Sequence, residues 1–222
     1  MKDNTSAFNA KEYDEKIKKT LPYYEAFYEQ VIDVVKAQFA KPLNWLDIGC
    51  GTGKMAEAAF KKVTLKRFVF CDPSNKMLEI AKQYFEGERS LFVNESIADL
   101  NIEDSFDVIT SIQVFHYLQK EERIGALKKC YQALAPNGVM ISFENFAPSS
   151  EQGKALFLKR WESYQIGQGK SEEEAKKHIS RYGKGYFPIA IAEHLKAYKQ
   201  AGFETVELLW VSNMQVGLLG IK

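Results

Sequence analysis

The chain has 222 residues, of which 45% are hydrophobic and 27% charged, and its formal net charge is +1. This composition suits one globular domain with a large core, and the near-neutral charge gives no electrostatic argument for a nucleic-acid partner. Cys50, Cys71 and Cys130 form no CxxC pair, so neither a disulfide framework nor a metal site is predicted. The chain shows no apolar leader and no membrane-length apolar run, and we expect a cytoplasmic protein without membrane contact.

The first elements in chain order are helices followed by alternating strands and helices. Apolar spacings of three and four predict helices within residues 11–40, divided near Pro22. From residue 43 to residue 146, strands are predicted in LNWLDIG, KRFVFCD, SLFVNES, from about Phe106 to Ile112, and in VMISFENF. Helical patterns separate them, and Ser74 is the predicted N-cap of one helix. The alternation predicts a parallel α/β sheet that binds ligands beyond the carboxyl ends of its strands.

The pattern changes after residue 147. Residues 150–182 read as charged helices with Ser171 as an N-cap, and a later helix ends at Gly202. ETVELLWVS and MQVGLLGIK then predict a terminal hairpin. We therefore predict a single domain over residues 1–222, with residues 1–40 as an N-terminal helical cap. Residues 147–187 form a helical insertion expected to cover the ligand site as a lid.

Three glycines follow the first strand in LDIGCGTGKM, at Gly49, Gly51 and Gly53. A phosphate-binding P-loop is excluded, because no glycine lies five positions before Gly53 and Met55 replaces the required Ser or Thr. The dinucleotide fingerprint GxGxxG is missed by one residue, which disfavours a nicotinamide oxidoreductase. The remaining pattern, GxGxG, allows a tight turn and close approach to the sugar and amino-acid parts of a ligand.

The segment LDIGCGTG follows a predicted strand and begins a predicted helix. In this context it resembles motif I of the class I S-adenosylmethionine-dependent methyltransferases. The resemblance implies a Rossmann-like, mostly parallel seven-stranded sheet with a terminal antiparallel hairpin. It also implies S-adenosylmethionine as cofactor and S-adenosylhomocysteine as product. Asp72, at the end of the second strand, is placed to accept hydrogen bonds from ribose hydroxyls. Met77 lies where this superfamily packs an apolar side chain on adenine.

A narrower resemblance extends over nearly the whole chain. YDEKIKKTLPYYEAFYEQVIDVV, LQKEERIGALKKCYQALAPNGVMISFENF, SEEEAKK and the segment from HLKAYKQAGFETVELLW to GLLGIK resemble the tRNA uridine-5-oxyacetate carboxymethyltransferase family. That family uses carboxy-S-adenosylmethionine on the wobble uridine. Ser96 stands where it has an acid that contacts adenine, so adenine recognition would rest on Ser96 and the Ile97 backbone, or on Asp99. The implied cofactor-binding residues are Tyr24, Asp47, Gly49, Cys50, Gly51, Asp72, Pro73, Met77, Ser96, Ile97 and Ile112.

The choice between the ordinary and the carboxylated cofactor depends on one position, where that family has an arginine that pairs with the extra carboxylate. An ungapped alignment puts Ile179 there, and isoleucine cannot neutralise a buried carboxylate. Arg181 is two residues away, which on a continuing helix turns it to the wrong face, although a loop could bring it back. The sequence therefore predicts the ordinary cofactor.

We expect methyl transfer by in-line displacement to a small-molecule acceptor, and we assign no catalytic residue. Transfer to tRNA is the alternative, because KKHISRYGKGY places basic and aromatic residues together around His178. A non-catalytic module that binds S-adenosylmethionine is a third possibility, and a homo-oligomer is possible. The candidate substrate-binding residues are His116, Arg181, Tyr182 and Tyr186.

Overall fold

A computed structural model describes residues 8–100 and 105–222. Seven strands form one sheet in the order β3-β2-β1-β4-β5-β7-β6. They are β1 (Leu43–Ile48), β2 (Leu65–Cys71), β3 (Ser90–Val93), β4 (Phe106–Ile112), β5 (Leu134–Asn145), β6 (Thr205–Ser212) and β7 (Gln215–Ile221). The pairs from β3 to β5 are parallel, and β7 is antiparallel to β5 and β6. The predicted fold class, with its terminal hairpin, is confirmed.

Eight α-helices surround the sheet in the described part of the chain. They are α1 (Tyr13–Lys18), α2 (Tyr24–Gln38), α3 (Lys54–Lys62), α4 (Asn75–Phe85), α5 (Lys120–Ala133), α6 (Glu151–Gly167), α7 (Glu172–Ile179) and α8 (Ile191–Ala201). Short 3-10 turns cover Ala10–Glu12 and Phe115–Tyr117. Among the described helices, none combines the length and the apolar character needed to cross a membrane.

Successive strand residues face two separate hydrophobic layers, as the pleat requires. In β2, Phe68 and Phe70 pack with α2 and α3 on one side of the sheet. Val69 and Cys71 pack with α5 and α8 on the other side. Both faces of the central strands are therefore buried, which explains their nearly continuous apolar sequences.

Several predicted boundaries agree with the structure. α1 and α2 are separate helices on either side of Pro22, and the Ser74 hydroxyl accepts a hydrogen bond from the Met77 N–H at the start of α4. α8 ends at Gly202, whose φ of 118° suits glycine. β3 is shorter than predicted, because its pairing with β2 ends at Val93. The predicted strand end at Ser96 is therefore wrong.

The segment between α1 and α2 contacts α6 and Lys170 beyond it. The Trp161 indole N–H of α6 donates to the Thr20 carbonyl over 2.6 Å, and the Tyr164 hydroxyl is 3.4 Å from the Leu21 carbonyl. Lys170, after α6, donates to the Thr20 hydroxyl. The segment after β5 is thus joined to the N-terminal helices. Residues 1–7 of the predicted cap lie outside the described residues.

Candidate cofactor and substrate site

The glycine loop joins β1 to α3 in a backbone conformation that favours glycine. Gly49, Gly51 and Gly53 have φ angles of 65°, 55° and 90°. A Cβ built on Gly49 would lie 2.3 Å from a Val114 methyl carbon, so the neighbouring segment also requires glycine there. At Gly51 an added Cβ would meet no atom within 4 Å, which leaves open space beside the loop for a ligand.

Asp72 connects the end of β2 to this loop. Its carboxylate accepts hydrogen bonds from the Gly51 N–H over 2.9 Å and from the Ser74 N–H over 2.8 Å. The Asp72 side chain is buried and still borders the cleft beside the loop. The carboxylate thus connects the glycine loop, the N-cap of α4 and the cleft.

A cleft of about 790 Å³, counted out to its open mouth, runs from the glycine loop to the helices above it. Most of the predicted residues meet here. Those that line the cleft are Gly49, Gly51, Asp72, Pro73, Met77, Ile112, His116, Arg181 and Tyr186. Tyr24, Asp47 and Cys50 line a smaller adjoining cavity that shares Gly49, Gly51 and Ile112 with the cleft. The two spaces adjoin each other along the glycine loop.

Asp47 is a buried acid beneath the loop. It accepts a hydrogen bond of 2.7 Å from the Thr110 hydroxyl, which itself accepts one of 2.8 Å from the Trp45 indole N–H. Burial raises the pKa of Asp47 to about 7, and the hydrogen bond from Thr110 opposes this only in part. A cation in the adjoining cavity would stabilise the ionised carboxylate. The ammonium group of S-adenosylmethionine is such a cation.

Ser96, Ile97 and Asp99 lie away from both spaces. The Ser96 hydroxyl donates to the Asp99 carboxylate over 2.6 Å, and Ile97 is buried in the core layer that contains α5. The Lys129 ammonium group donates hydrogen bonds to the carbonyls of Ile97, Ala98 and Leu100 in the same turn. None of the three lines the cleft in this structure. Their predicted contact with adenine stays a prediction.

Arg181 reaches the cleft, contrary to the expectation that it faces away. α7 ends at Ile179, so the helical rotation assumed between these two positions does not apply. Ile179 instead packs against the core. The Arg181 guanidinium carbon lies 6.0 Å from the ring centres of both Tyr117 and Tyr186. Burial raises the pKa of Tyr117, and the charge and hydrogen bond of Arg181 lower it in part.

The path of the Arg181 side chain depends on the turn that follows it. The N–H groups of Lys184 and Gly185 donate to the Arg181 carbonyl over 2.9 and 2.7 Å. Gly183 has a φ of 69°, and a Cβ on Gly185 would lie only 2.8 Å from the Arg181 Nε atom. The glycines of RYGKGY therefore leave room for the arginine to turn into the cleft.

His116 and Glu144 form a buried pair at the base of the cleft. The Glu144 carboxylate accepts hydrogen bonds from the N–H groups of Phe115 and His116 over 3.2 and 2.9 Å. It also lies 3.0 Å from His116 Nδ1, and the two side chains are 2% and 1% exposed. A carboxylate at Nδ1 selects the tautomer with the proton on Nδ1. In the neutral ring of that tautomer, Nε2 carries the lone pair.

The basic and aromatic run around His178 is divided between the surface and the interior: Lys176, Lys177 and Lys184 are exposed, whereas Tyr186 is buried. His178 is partly buried, with Nδ1 lying 3.2 Å from the Gln165 amide, and burial lowers its pKa to about 3. Lys176 pairs with Glu172 over 3.1 Å on the exposed side of α7. Tyr182 is partly exposed, does not line the cleft, and stacks edge-on with Tyr186.

Several site residues were not found from the sequence. Tyr13, Trp161 and Asn145 line the cleft, and Asp14 accepts a hydrogen bond of 2.7 Å from the Thr52 hydroxyl of the glycine loop. Glu144 next to the end of β5 was also missed, although an acid near a strand end is a signal that could have found it. Lys54, after the loop, pairs with Glu57 over 2.9 Å and does not point to a phosphate site.

The comparisons with known proteins agree with this geometry. A family model described as a methyltransferase domain matches residues 46–140. The carboxy-S-adenosyl-L-methionine synthase from Wolinella succinogenes is 28% identical to this chain, and the match covers 90% of this chain and 86% of the relative. The enzyme of the same name from Staphylococcus epidermidis is 22% identical, and the match covers 96% of this chain and 93% of the relative. A solved S-adenosylmethionine-dependent methyltransferase from Clostridium acetobutylicum superposes with a TM-score of 0.67 at 18% identity and covers 96% of each chain.

The fold is therefore that of the class I S-adenosylmethionine-dependent methyltransferases. The enzyme class and the S-adenosylmethionine cofactor predicted from the sequence are confirmed by the methyltransferase domain matched over residues 46–140 and by the names of these relatives. Within this fold, the family of relatives that matches the chain over most of its length differs from the family expected from the sequence. The curated relatives carry the name of carboxy-S-adenosyl-L-methionine synthase, and not that of the tRNA carboxymethyltransferase family.

Proposed function

We propose that this enzyme converts S-adenosylmethionine into its carboxylated form, with a second small molecule as the source of the carboxyl group. The observation that carries the proposal is Arg181 in the cleft with the glycine loop and Asp72. The name of the curated relatives, carboxy-S-adenosyl-L-methionine synthase, supports the same product. Under this proposal S-adenosylmethionine is the substrate that is modified.

The charges in the cleft support a carboxylated ligand. S-adenosylmethionine carries a sulfonium and an ammonium group against one carboxylate, so it is a net cation. Arg181 brings a guanidinium into the same cleft. A carboxylate on the former methyl carbon would give this guanidinium an acceptor for charge-assisted hydrogen bonds. The isoleucine at position 179 is no obstacle to this proposal, since Arg181 itself borders the cleft.

The remaining cofactor contacts are part of the same proposal. The glycine loop and Asp72 hold the ribose and amino-acid parts, with Tyr24, Asp47 and Cys50 beneath them. Pro73, Met77 and Ile112 supply apolar contacts along the cleft. Because the side chains of Ser96 and Ile97 lie elsewhere, we propose that apolar packing contributes more to adenine binding than a side-chain carboxylate does.

Methyl transfer to a small-molecule acceptor is the second candidate function. It is favoured by His116, whose Nε2 can take a proton from a hydroxyl or amine nucleophile when Glu144 holds Nδ1. tRNA remains a weaker candidate for the acceptor. Arg181 and Tyr186 line the cleft and His178 is partly buried, so the exposed part of the basic and aromatic run is reduced mainly to Lys176, Lys177 and Lys184. All three cysteines are free and buried, which supports the proposed cytoplasmic location.

The test is incubation of the purified full chain with S-adenosylmethionine and a low-molecular-mass metabolite extract, followed by mass spectrometry of the nucleosides. Protein-dependent carboxy-S-adenosylmethionine is the expected product. S-adenosylhomocysteine in its place would contradict the proposal and favour methyl transfer. Binding of S-adenosylmethionine with neither product would favour a binding module without turnover.

A further inference from the structure

Arg123 on α5 is a charged side chain in the interior of the protein. It is 1% exposed and does not line the cleft. Its Nε atom donates to the Phe115 carbonyl over 3.1 Å, and its Nη2 atom donates to the carbonyls of Leu118 and Phe187 over 3.2 and 2.8 Å. A buried charge is costly unless polar groups surround it. The three carbonyls are therefore the partners that allow this guanidinium to be buried.

These carbonyls belong to two segments that are far apart in the sequence. Phe115 and Leu118 lie in the turn after β4, and Phe187 is the last residue of the helical insertion. The Phe187 N–H also donates to the His116 carbonyl over 2.6 Å. Both backbone polar groups of Phe187 are thus bound, one to the turn itself and the other to Arg123. The guanidinium joins the end of the insertion to the turn.

The turn lies between two buried charges of opposite sign. Glu144 accepts hydrogen bonds from the N–H groups of Phe115 and His116, and Arg123 donates to the Phe115 carbonyl. The N–H groups therefore face the anion and a carbonyl faces the cation, as charge-assisted hydrogen bonds require. Burial lowers the pKa of Arg123, and the charge of Glu144 opposes this in part. The backbone of the turn is held from both sides.

The two joined segments carry the aromatic rings beside Arg181. Tyr117 belongs to the turn, Tyr186 directly precedes Phe187, and the Arg181 guanidinium carbon lies 6.0 Å from both ring centres. A cation–π contact extends to about 6 Å, so a shift of either segment away from Arg181 ends one of these contacts.

We propose that Arg123 is a positioning residue that keeps the two segments together and so holds Arg181 between its two rings. Arg123 does this through the backbone, without touching a ligand. The effect on carboxylate recognition rests on the proposed function, whereas the link between the two segments does not.

The link is tested by amide hydrogen exchange of the full chain without ligand. Arg123→Lys keeps the charge and removes the planar set of donors. We expect exchange in residues 114–118 and 185–190 to become at least about tenfold faster, with the rates in α3 unchanged. Equal acceleration throughout the chain would indicate a general loss of stability and overturn the proposal, as would unchanged rates in both segments.

Lys129→Met is the matched control. Lys129 lies on the same helix and also donates to three carbonyls, those of Ile97, Ala98 and Leu100, in a turn away from the cleft. This variant should leave exchange in residues 114–118 and 185–190 at the wild-type rates. Acceleration of these two segments in Lys129→Met as well would overturn the assignment to Arg123.

The effect on Arg181 is tested by calorimetric titration with carboxy-S-adenosylmethionine and S-adenosylmethionine. The wild-type preference for the carboxylated nucleoside should fall at least about threefold in Arg123→Lys and persist in Lys129→Met. Equal losses of affinity for both ligands would overturn the positioning of Arg181. A wild-type chain without this preference contradicts the proposed function, and the exchange rates then decide the role of Arg123 by themselves.

The wild-type chain gives a test that does not depend on the folding of a variant. The Phe187 N–H should exchange about as slowly as the N–H groups of β5, because both polar groups of this residue are bound in the interior. Exchange at the rate of an exposed turn would overturn the proposal.

Discussion

Asp72 at the end of β2 accepts a hydrogen bond of 2.9 Å from the N–H of Gly51 in the glycine loop. The side chain thus orients the loop and borders the cleft at the same time. In Asp72→Asn one of the two oxygens becomes an N–H group facing a backbone donor. We expect the affinity for S-adenosylhomocysteine to fall at least about tenfold, because hydrogen bonds to a charged group contribute about 1.5–3 kcal/mol. Calorimetry measures this loss, and Asp33→Asn on the exposed side of α2 is the control that should not change it.

Asp47 gives cofactor binding a pH dependence. Its pKa of about 7 lies above the usual value of 3.8 because of burial. A cationic ligand favours the ionised form, so binding releases a proton below pH 7. The affinity for S-adenosylmethionine should then rise about tenfold between pH 5.5 and 7.0, and the binding enthalpy should depend on the buffer. In Asp47→Asn both effects should disappear, and an equally steep rise there would assign the proton to another group.

The same carboxyl group affects stability in the free protein. A folded-state pKa above the unfolded value means that the folded chain holds this proton more tightly between about pH 4 and 7. The Asp47 contribution to stability therefore decreases as pH rises through that window. Urea denaturation of wild type and Asp47→Asn should show the variant gaining relative stability towards pH 7. A constant difference would contradict the assignment.

Thr52 links the glycine loop to α1 by donating to Asp14 over 2.7 Å. Thr52→Val keeps the shape of the side chain and removes this hydrogen bond. We expect the affinity for S-adenosylhomocysteine to drop about fivefold, and amide hydrogen exchange in residues 10–20 to become faster. Thr64→Val, at an exposed position, is the matched control. Unchanged exchange in residues 10–20 would show that the hydrogen bond does not hold the helix.

Gly185 determines whether Arg181 can enter the cleft, since an added Cβ would lie 2.8 Å from the Arg181 Nε atom. Gly185→Ala should displace the guanidinium and weaken the binding of carboxy-S-adenosylmethionine about tenfold, with little effect on S-adenosylmethionine. Gly87→Ala, where an added Cβ meets no atom within 4 Å, is the control. Equal losses for both ligands would indicate a general distortion of the site.

The sheet and the cofactor loop could be predicted from the sequence because their signals are local. Apolar runs and the Ser74 cap locate the strands and helices, and the spacing of Gly49, Gly51 and Gly53 excludes two other ligand classes. The end of β3 was placed too late, because pairing with β2 stops at Val93 and only the partner strand determines that.

The substrate side of the site depends on contacts that the sequence does not display. His116 and Glu144 are 28 residues apart, and Thr52 and Asp14 are 38 apart. Arg181 was assigned to the wrong face because the pattern around it reads as helix. The helix ends at Ile179, two residues before Arg181, and the close packing at Gly185 is visible only in three dimensions.

The central claim is that Arg181 recognises a carboxylate on the cofactor. The most direct test is calorimetric titration of wild type, Arg181→Met and the exposed control Arg160→Met with carboxy-S-adenosylmethionine, S-adenosylmethionine and S-adenosylhomocysteine. We predict that wild type and Arg160→Met prefer the carboxylated nucleoside by at least about tenfold, as a partly buried ion pair allows. Arg181→Met should lose that preference. A wild-type protein that prefers ordinary S-adenosylmethionine would contradict the account.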